Sequence, residues 1–463
     1  MRNSITGSMI RCSIVLCTSA FLVSAQRVGA APYAYVPNKI DFTVSIIDIA
    51  TNTVVGTPAI GVEFDEPTAL AVTPNASRVY IVGDSPDGPV SIIDTSTNMA
   101  TPRKFTLGDQ LKAVAIPSNR LGYFATAGAV EAIDIANETD IGPVVFEGNG
   151  PASLRRMTTS QDRTRIYLTD SGIDGLWLID TSANTASLLD TFTHECAIST
   201  VSGPCVTDDD CPSGFCKEES VLSSPLGVTA TADGRYAYVA NHASRDITVI
   251  DTIAKHCQLG DKKGAACSAS PDAASPDCPG PAGACRGGLC PCTNVVTSIT
   301  PNEFANNAVA LAPDGRHIYA AGDAGTISVI DTATNTVSGM IPIDEAGQLF
   351  DIAVAPDGDH LYAVDVTSEV VWVVASSSQA VVTSIQVGSE PVAIAIAVAQ
   401  PSQPCAGDCD GDNQVAVNEL VTMVNIALGS NAVQCSAGDT DHDSMIAISE
   451  LVAAVNRALT GCA

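Results

Sequence analysis

The chain has little positive charge and few aromatic side chains. Of its 463 residues only 22 are Lys or Arg, against 51 Asp or Glu, which gives a formal net charge of −29. A chain this acidic is a poor partner for nucleic acids and for anionic membrane surfaces, because like charges repel. Aromatic residues make up 5% and charged residues 16% of the chain, while Val, Ile, Thr and Ser dominate its repeated segments. That composition favours strands over helices.

A long apolar run of the kind that spans a membrane is also missing after the N-terminus. The first residues have the pattern of a secretory signal instead. Arg2 and Arg11 stand before a short apolar core over residues 12–23, and Val23-Ser24-Ala25 has the small-x-small form of a cleavage site. We predict a signal peptide over residues 1–25. The protein is then secreted or extracytoplasmic, at the cell surface or in the periplasm, with no transmembrane segment.

Short catalytic motifs are lacking as well. The chain contains no nucleophile elbow, no H-E-x-x-H and no C-x-x-C pair. Its six histidines do not recur at one position of the repeats: they are His194, His242, His256, His317, His360 and His442. These absences disfavour an enzyme, although a site assembled from separate segments leaves little trace in a sequence.

Cysteines are present in even-numbered clusters. Of 16 cysteines, two fall in the signal peptide, and the others form groups of four in 196–216, six in 257–292 and four in 405–462. Even clusters in an exported protein predict disulfide bonds, whose connectivity the sequence leaves open.

A short motif recurs along most of the chain. Apolar or β-branched residues run into an Asp and then a polar turn, as in Ile327–Thr336. Further copies are Val44–Asp48, Val90–Asp94, Val130–Asp134, Leu176–Asp180 and Ile247–Asp251, and Val371–Val374 is a degenerate seventh copy without the Asp. Self-similarity at this spacing predicts a repeat architecture. The six repeated Asp residues are interpreted as structural, each accepting hydrogen bonds from backbone N–H groups of its own turn.

One complete repeat, which begins at Phe350, predicts four short strands. They are Ile352–Ala355, His360–Val364, Val370–Val374 and Val381–Gly388, with the turn Pro356-Asp357-Gly358 after the first. Four short strands at a period of about 40 to 45 residues are typical of a β-propeller blade.

Several segments resemble the YVTN-type β-propeller repeat, a WD40/YVTN-like fold. They are Tyr238–Asn241, Ile247–Thr252, Ala312–Tyr319 and Ile330–Thr336. The resemblance covers residues 32–399 and implies the propeller fold. It implies no single activity, because members of the family are described as surface proteins, binding scaffolds and parts of enzymes.

The two ends of the repeat region predict a closed ring. Tyr33–Val36 is a second strand with no first strand before it, and Pro391–Val398 is a surplus strand after the last copy. Pairing the two would remove the last open sheet edge. The predicted fold is mainly β: a seven-bladed propeller with four-stranded blades, closed by a C-terminal strand. The Cys-rich insertions at 196–216 and 257–292 are predicted to emerge on opposite faces of the ring.

After a linker at 400–404, residues 405–463 predict a small all-α domain with paired calcium loops. Carboxylates at positions 1, 3, 5 and 12 of a twelve-residue loop supply the hard oxygen ligands that calcium requires. The predicted ligands are Asp408, Asp410, Asp412, Gln414 through its carbonyl and Glu419, and then Asp439, Asp441, Asp443, Met445 through its carbonyl and Glu450. Each loop leads into a helix with one apolar stripe, so the two helices should pack together.

The duplicated EF-hand-type loop and helix resembles a dockerin domain. Dockerins attach enzymes to cohesin modules, so the resemblance implies a cohesin-like partner. Loop positions 10 and 11 depart from the usual Ser/Thr pair, because Val417-Asn418 and Ile448-Ser449 stand there.

These features predict a secreted or cell-surface binding or scaffold protein. Its propeller would be an interaction platform for a protein or glycan partner, and its C-terminal domain a calcium-dependent attachment module. The alternative is an extracytoplasmic hydrolase, lactonase-like or acting on polysaccharides, with its site in the propeller funnel and docked through the dockerin-like domain.

Overall fold

A computed structural model describes most of the chain after the predicted signal peptide. The described residues are 32–61, 66–107, 109–148, 150–196, 216–254, 256–257, 292–301 and 304–398, and then 407–409, 415–428, 435, 438 and 446–460. The predicted signal peptide, the interiors of both Cys-rich insertions and the linker at 400–404 lie outside the described residues. Among those described, no helix combines the length and the apolar character needed to cross a membrane.

Seven sheets of four antiparallel strands form the body of the protein, as the sequence predicts for a seven-bladed propeller. Blade 1 contains β1 (Tyr33–Asn38), β2 (Thr43–Asp48) and β3 (Thr53–Gly56), and blade 2 contains β4 (Pro67–Val72), β5 (Arg78–Gly83), β6 (Pro89–Asp94) and β7 (Met99–Thr106). Blade 3 contains β8 (Ala113–Ala115), β9 (Leu121–Ala125), β10 (Val130–Asp134) and β11 (Thr139–Pro143). Blade 4 contains β12 (Val145–Phe146), β13 (Leu154–Thr159), β14 (Arg165–Asp170), β15 (Gly175–Asp180) and β16 (Thr185–Leu188). In blade 4 the short β12 pairs in parallel with the outer strand β16 as an additional strand.

The remaining strands complete the ring and add two short hairpins. Blade 5 contains β19 (Pro225–Ala230), β20 (Tyr236–Asn241), β21 (Asp246–Asp251) and β24 (Val295–Ile299), and blade 6 contains β25 (Asn306–Leu311), β26 (His317–Gly322), β27 (Thr326–Asp331) and β28 (Thr336–Pro342). Blade 7 contains β29 (Leu349–Val354), β30 (His360–Asp365), β31 (Val370–Ala375) and β32 (Ala380–Gln386), and the last strand is β33 (Ala395–Ala397). The hairpins are β17 (Phe192–Cys196) with β18 (Cys216–Ser220), and β22 (His256–Cys257) with β23 (Cys292–Thr293), the second of which lies between β21 and β24.

Burial explains the two residue patterns of the blades. The second and third strands of a blade are almost completely buried, as in β30 and β31, because neighbouring blades cover both of their faces. Such strands therefore contain continuous apolar runs. The outer strand β28 instead alternates between exposed and covered residues, since only one of its faces meets a neighbouring blade.

The surplus C-terminal strand closes the ring, which confirms the predicted closure. Strand β33 pairs antiparallel with β1, with Ala397 opposite Tyr33 and Ala395 opposite Tyr35, and a bridge joins Pro391 to Asn38. Blade 1 therefore takes its innermost strand from the end of the propeller sequence and its other three strands from the start.

The repeated Asp residues are turn acceptors, as predicted. In the turn between the third and fourth strands, Asp331 accepts the backbone N–H groups of Ala333 (2.9 Å) and Thr334 (2.8 Å). The same bonds to residues two or three positions later form at Asp48, Asp94, Asp134, Asp180 and Asp251. The backbone N–H of Thr334 is the largest cause that lowers the pKa of Asp331 below its usual value, and the Ser182 hydroxyl has that role at Asp180.

Tyrosines of several second strands join one blade to the next. The hydroxyl of Tyr238 in blade 5 donates to Asn335 Oδ1 in the Asp turn of blade 6 (2.6 Å), and Tyr362 in blade 7 donates to Asn52 Oδ1 in blade 1 (2.7 Å). Asn52 and Asn335 have φ of 54°, a left-handed conformation that Asn tolerates. Burial raises the pKa of Tyr238 and Tyr362 to about 12, so both hydroxyls remain donors. A Tyr of the second strand and an Asn of the Asp turn therefore form a contact between neighbouring blades.

Tyr238→Phe should lower the free energy of unfolding by about 1 kcal/mol, the usual net worth of one hydrogen bond. The ring would keep its packing, because only the hydroxyl is removed. Tyr236→Phe is the matched control, since the Tyr236 hydroxyl has no hydrogen-bond partner among the described residues. Equal denaturation midpoints for the two variants would show that the contact between the blades contributes nothing.

A polar residue that ends the second strand has a role that the sequence did not indicate. In blade 7, Asp365 is completely buried and accepts the backbone N–H of Gly347 (2.8 Å), which belongs to the segment that enters the blade. It also accepts the indole N–H of Trp372 (3.1 Å). Asp170 and Trp177 repeat this arrangement in blade 4. These carboxylates fix the connection from one blade to the next.

The described ends of both Cys-rich insertions are short hairpins. Residue 196 is opposite 216 in the β17–β18 pair, and 257 is opposite 292 in the β22–β23 pair. The first hairpin lies between an outer strand and the next inner strand, and the second lies between the third and fourth strands of blade 5. Strand alternation therefore puts them on opposite faces of the ring, as predicted. The predicted disulfides within the insertions rest on side chains outside the described residues.

Two helices form the described part of the C-terminal region: α1 (Val417–Ala427) and α2 (Ile448–Thr460). They contact each other as predicted, through a small core of Met423, Ile426, Ile446 and Ala454 that also includes Cys435. A disulfide joins Cys409, just before α1, to Cys435 between the helices. Among the described residues, this is the disulfide that the structure adds to the cysteine pattern of the sequence.

Candidate functional site

A cavity of about 500 Å³ lies at the mouth of the central channel. It is lined by the first residues of the innermost strand of every blade and by the segment that leads into β33. All innermost strands begin at this face, and the β17–β18 hairpin leaves the ring on the same side. We call this cavity the mouth cavity.

Irregular strand pairing forms the lining. Where the innermost strand pairs with the second strand, the register shifts in blades 2, 4, 5, 6 and 7, close to the start of the inner strand. A bulge of this kind bends a strand and redirects its side chains, and bulges are common beside functional sites. At least two consecutive residues of every blade consequently line the mouth cavity.

These residues form two rings of equivalent positions, defined by their register against the second strand. Ring A contains Val392, Thr68, Lys112, Arg155, Leu226, Asn307 and Phe350. Ring B contains Ala393, Ala69, Ala113, Arg156, Gly227, Ala308 and Asp351. Ring A differs from blade to blade, whereas ring B is Ala or Gly in five blades. In blade 5 close packing explains the glycine, because a Cβ on Gly227 would lie 2.7 Å from the Cα of Ala308 in the next blade.

The two charged members of ring B contact each other. Arg156 of blade 4 and Asp351 of blade 7 form an ion pair with 2.9 Å between Nη1 and Oδ1. Arg156 also donates from Nη2 to the carbonyl of Phe350 (3.2 Å), and its guanidinium lies 5.4 Å from the centre of the Phe350 ring. Asp351 Oδ2 in turn accepts the backbone N–H of Ile394 (3.0 Å). Since blades 4 and 7 are three places apart in a ring of seven, the pair spans the channel.

Further charged groups surround the mouth cavity. Lys112 forms an ion pair with Asp84, and Lys39 forms one with Glu66 (3.0 Å). The last basic residue of the lining, Arg155, donates through Nε to the Ser171 hydroxyl (2.7 Å), and no carboxylate among the described residues pairs with it. The mouth is therefore rich in cationic groups compared with the acidic chain as a whole.

A polar network continues from the mouth cavity to a second cavity of about 470 Å³. Asn307 of ring A contacts His242 Nδ1 through its Oδ1 (2.9 Å) and donates to Asp323 (2.8 Å), which also accepts from Gln348 (2.7 Å). His242 and Asp323 line the second cavity together with Arg245. His317 lies at the opposite end of its blade, 2.9 Å from Asp314.

Three of the ten predicted calcium ligands are described: Asp408, Glu419 and Glu450. All three residues are buried, with relative exposures of 6%, 3% and 4%. Glu419 accepts the backbone N–H of Cys409 at Oε1 (2.6 Å) and of Ala416 at Oε2 (2.7 Å), and Glu450 accepts that of Ala447 (2.8 Å). The other predicted ligands, Asp410, Asp412, Gln414, Asp439, Asp441, Asp443 and Met445, lie outside the described residues. Within the described parts of the chain, no three His, Cys, Asp or Glu residues cluster as a metal site.

The residues of the mouth cavity carry a signal in the sequence that motif reasoning missed. Once the repeats are aligned on the strand register, five small residues and two of opposite charge occupy ring B. An oppositely charged pair at one repeat position would have indicated a contact across the channel. The Asp motif instead draws attention to the turns at the other end of each blade.

Comparisons with known proteins give the fold and no activity. No protein-family model matches this chain, and no curated protein matches it. A protein of unknown function from Desulfotomaculum acetoxidans is similar in structure with a TM-score of 0.51, at 15% identity over 79% of this chain and 99% of that one. A putative 6-phosphogluconolactonase from Bacteroides fragilis is similar with a TM-score of 0.51, at 13% identity over 80% and 99%.

The chain is a β-propeller protein. At this level of identity the similarity is one of fold, since the same fold carries many unrelated functions. The YVTN-type and dockerin-like assignments remain predictions from sequence.

Proposed function

We propose that this protein is a secreted or cell-surface binding or scaffold protein. Its propeller is the interaction platform, and its C-terminal region is a calcium-dependent attachment module. One duplicated feature carries the proposal. Glu419 and Glu450 are both buried, and each accepts the backbone N–H of the residue three positions before it, Ala416 or Ala447.

Both glutamates are position 12 of a predicted calcium loop, the position that supplies a bidentate carboxylate. A buried carboxylate requires hydrogen bonds or a cation, because burial removes its hydration. Each oxygen of Glu419 accepts a backbone N–H, and an ionised carboxylate is an acceptor-only group with about four lone-pair sites. The described residues therefore fit a hard, oxygen-seeking cation. Asp408, Asp410, Asp412 and Gln414 would complete the first loop, and Asp439, Asp441, Asp443 and Met445 the second.

The attachment surface that we propose is apolar. Val417, Val421 and Val424 on α1 and Leu428 directly after it are exposed at spacings that form one stripe, and Val452 and Val455 are exposed on α2. Exposed apolar patches of this kind mark protein–protein contacts. The partner is therefore a protein with an apolar surface, of which a cohesin-like module is one candidate.

Binding has more support than hydrolysis in the funnel. The described residues that line the mouth cavity include no His, and their carboxylates Asp351, Asp84 and Glu66 each pair with a basic side chain. A general base or a nucleophile needs a carboxylate available to the substrate. The hydrolase remains the alternative function.

Calcium binding is tested on the chain without residues 1–25, after removal of metal with EGTA. Calorimetric titration with calcium should give two sites, and far-UV circular dichroism should report increased helicity. Replacing both Glu419 and Glu450 with Gln should weaken binding by more than about tenfold, because each bidentate carboxylate loses its charge.

Glu345→Gln is the matched control, since Glu345 is exposed on the propeller. Partner capture is tested with and without calcium, using Val421→Asp against Val382→Asp, which changes an equally exposed valine on an outer strand of blade 7. No heat of calcium binding and unchanged helicity would refute the metal-dependent module. Equal capture with and without calcium would refute its role in attachment.

A further inference from the structure

We propose that the mouth cavity binds a small hydroxylated carboxylate, with Arg155 and Arg156 as the groups that recognise its carboxylate. The inference rests on the proposed role of the propeller as a binding platform and names the ligand class of that platform. It is independent of the C-terminal module.

The size and lining of the cavity suit a small molecule. Its volume of about 500 Å³ lies in the range of ordinary ligand sites, which combine apolar walls with a few placed polar groups. Val114, Met157 and Val309 contribute apolar surface beside the charged members of the two rings. A polymer could enter only with a single residue or an end group.

Hydrogen-bond capacity shows what the ligand must supply. Arg156 uses one N–H on Asp351 and one on the Phe350 carbonyl, and Arg155 uses one on Ser171. A guanidinium has five N–H groups, so most donors of both side chains have no partner among the described residues. Both oxygens of Asp351 are already acceptors, for Arg156 and Ile394. The ligand must therefore provide acceptor oxygens.

Charge separates a carboxylate from a neutral acceptor. The lining includes the bases Lys39, Lys112, Arg155 and Arg156 and the acids Glu66, Asp84 and Asp351. Three ion pairs account for all of these groups except Arg155. A carboxylate would pair with Arg155 through two parallel hydrogen bonds, the strongest arrangement open to a guanidinium. The acidic groups elsewhere on the chain repel a bound carboxylate only weakly, because salt at physiological strength screens charges beyond about 8 Å.

One acceptor of the lining is also unused. Asp84 Oδ2 pairs with Lys112, but Asp84 Oδ1 is buried without a hydrogen-bond partner among the described residues. A buried acceptor without a donor costs free energy. Because the Asp84 side chain lines the cavity and is 27% exposed, rotation of its carboxylate would allow a ligand hydroxyl to recover that cost. The geometry therefore points to a ligand that carries a carboxylate and hydroxyl groups on one small body.

Three probes test this in calcium-free buffer by ligand-observed NMR and calorimetry. D-glucuronate has both groups, hexanoate only the carboxylate, and D-glucose only the hydroxyls. We expect D-glucuronate to bind most tightly, and Arg155→Gln to weaken both acids by about tenfold or more, since a hydrogen bond to a charged group contributes about 1.5–3 kcal/mol. Asp84→Asn should weaken D-glucuronate and leave hexanoate unchanged.

Arg316→Gln is the control, because it removes the same charge from an exposed turn at the opposite end of a blade. Arg155 is itself exposed, so its replacement should not unfold the ring; thermal unfolding of each variant verifies this. Equal binding of D-glucose and D-glucuronate, undiminished binding by Arg155→Gln, or no binding of either acid at millimolar concentration would each overturn the proposal. Removal of calcium separates these outcomes from a failure of the attachment module.

Discussion

A chain that ends at residue 389 should lose about 5 kcal/mol of stability and aggregate, whereas one that ends at residue 400 should keep a stable propeller. The first truncation removes strand β33 together with the buried residues Val392 and Ile394. Burial of a Val or Ile side chain contributes about 1.5–3 kcal/mol, and the lost pairing with β1 adds to that. The backbone of β1 would then be an open edge, which promotes association with other chains.

Both truncations lack the C-terminal module, so their difference isolates the closing strand. Urea denaturation followed by tryptophan fluorescence reports the stability of the ring through Trp177 and Trp372, which are buried in blades 4 and 7. Size-exclusion chromatography reports association. Equal denaturation midpoints for the two chains would mean that closure by β33 does not stabilise the propeller.

Asp365→Ala should destabilise the protein by about 3–5 kcal/mol, because the Gly347 N–H and the Trp372 indole lose their acceptor and an unsatisfied buried donor costs about 1–3 kcal/mol. Asp365 accepts four N–H groups: those of Gly347, Thr367 and Ser368 and the indole of Trp372. The indole of Trp372 lies in the core, where water cannot replace the lost carboxylate, whereas Thr367 and Ser368 are exposed and water can reach their N–H groups. The change also frees the segment that enters blade 7, from which Phe350 and Asp351 reach the mouth cavity.

Asp331→Ala is the matched control for this substitution. Asp331 also accepts backbone N–H groups of a turn, but that turn is exposed, so water replaces the lost acceptor. We expect a cost of about 1 kcal/mol, comparable with the loss of a helix cap. Similar midpoint shifts in urea for the two variants would contradict the distinction between a buried acceptor at a blade junction and a turn acceptor.

The contrast between these two residues illustrates how far the sequence could predict the fold. The Asp331 turn is local: a side chain bonds to backbone groups two and three residues later, and such bonds repeat wherever the motif repeats. The environment of Asp365 depends on Gly347, which enters from the preceding blade, and on Trp372 in the adjacent strand. Local pattern reasoning cannot see either contact.

The candidate site was less predictable than the fold for the same reason. The sequence placed a possible site in the funnel but named no residue there. Arg156 and Asp351 are far apart in the chain and face each other because a ring of seven blades places them across one channel. Which residues belong to ring A or ring B depends on the bulges of the inner strands. The sequence of one short apolar inner strand does not show where its bulge lies.

The sequence by itself determined the number of blades, their strands and turns, and the closure of the ring, because each follows from patterns of apolar residues and turn residues that repeat locally. It also defined the calcium loops as a prediction from ligand spacing. Only the tertiary structure decided which side chains meet at the mouth of the channel. Seven strands that share a simple local pattern converge there, and the contacts between them arise from the geometry of the ring.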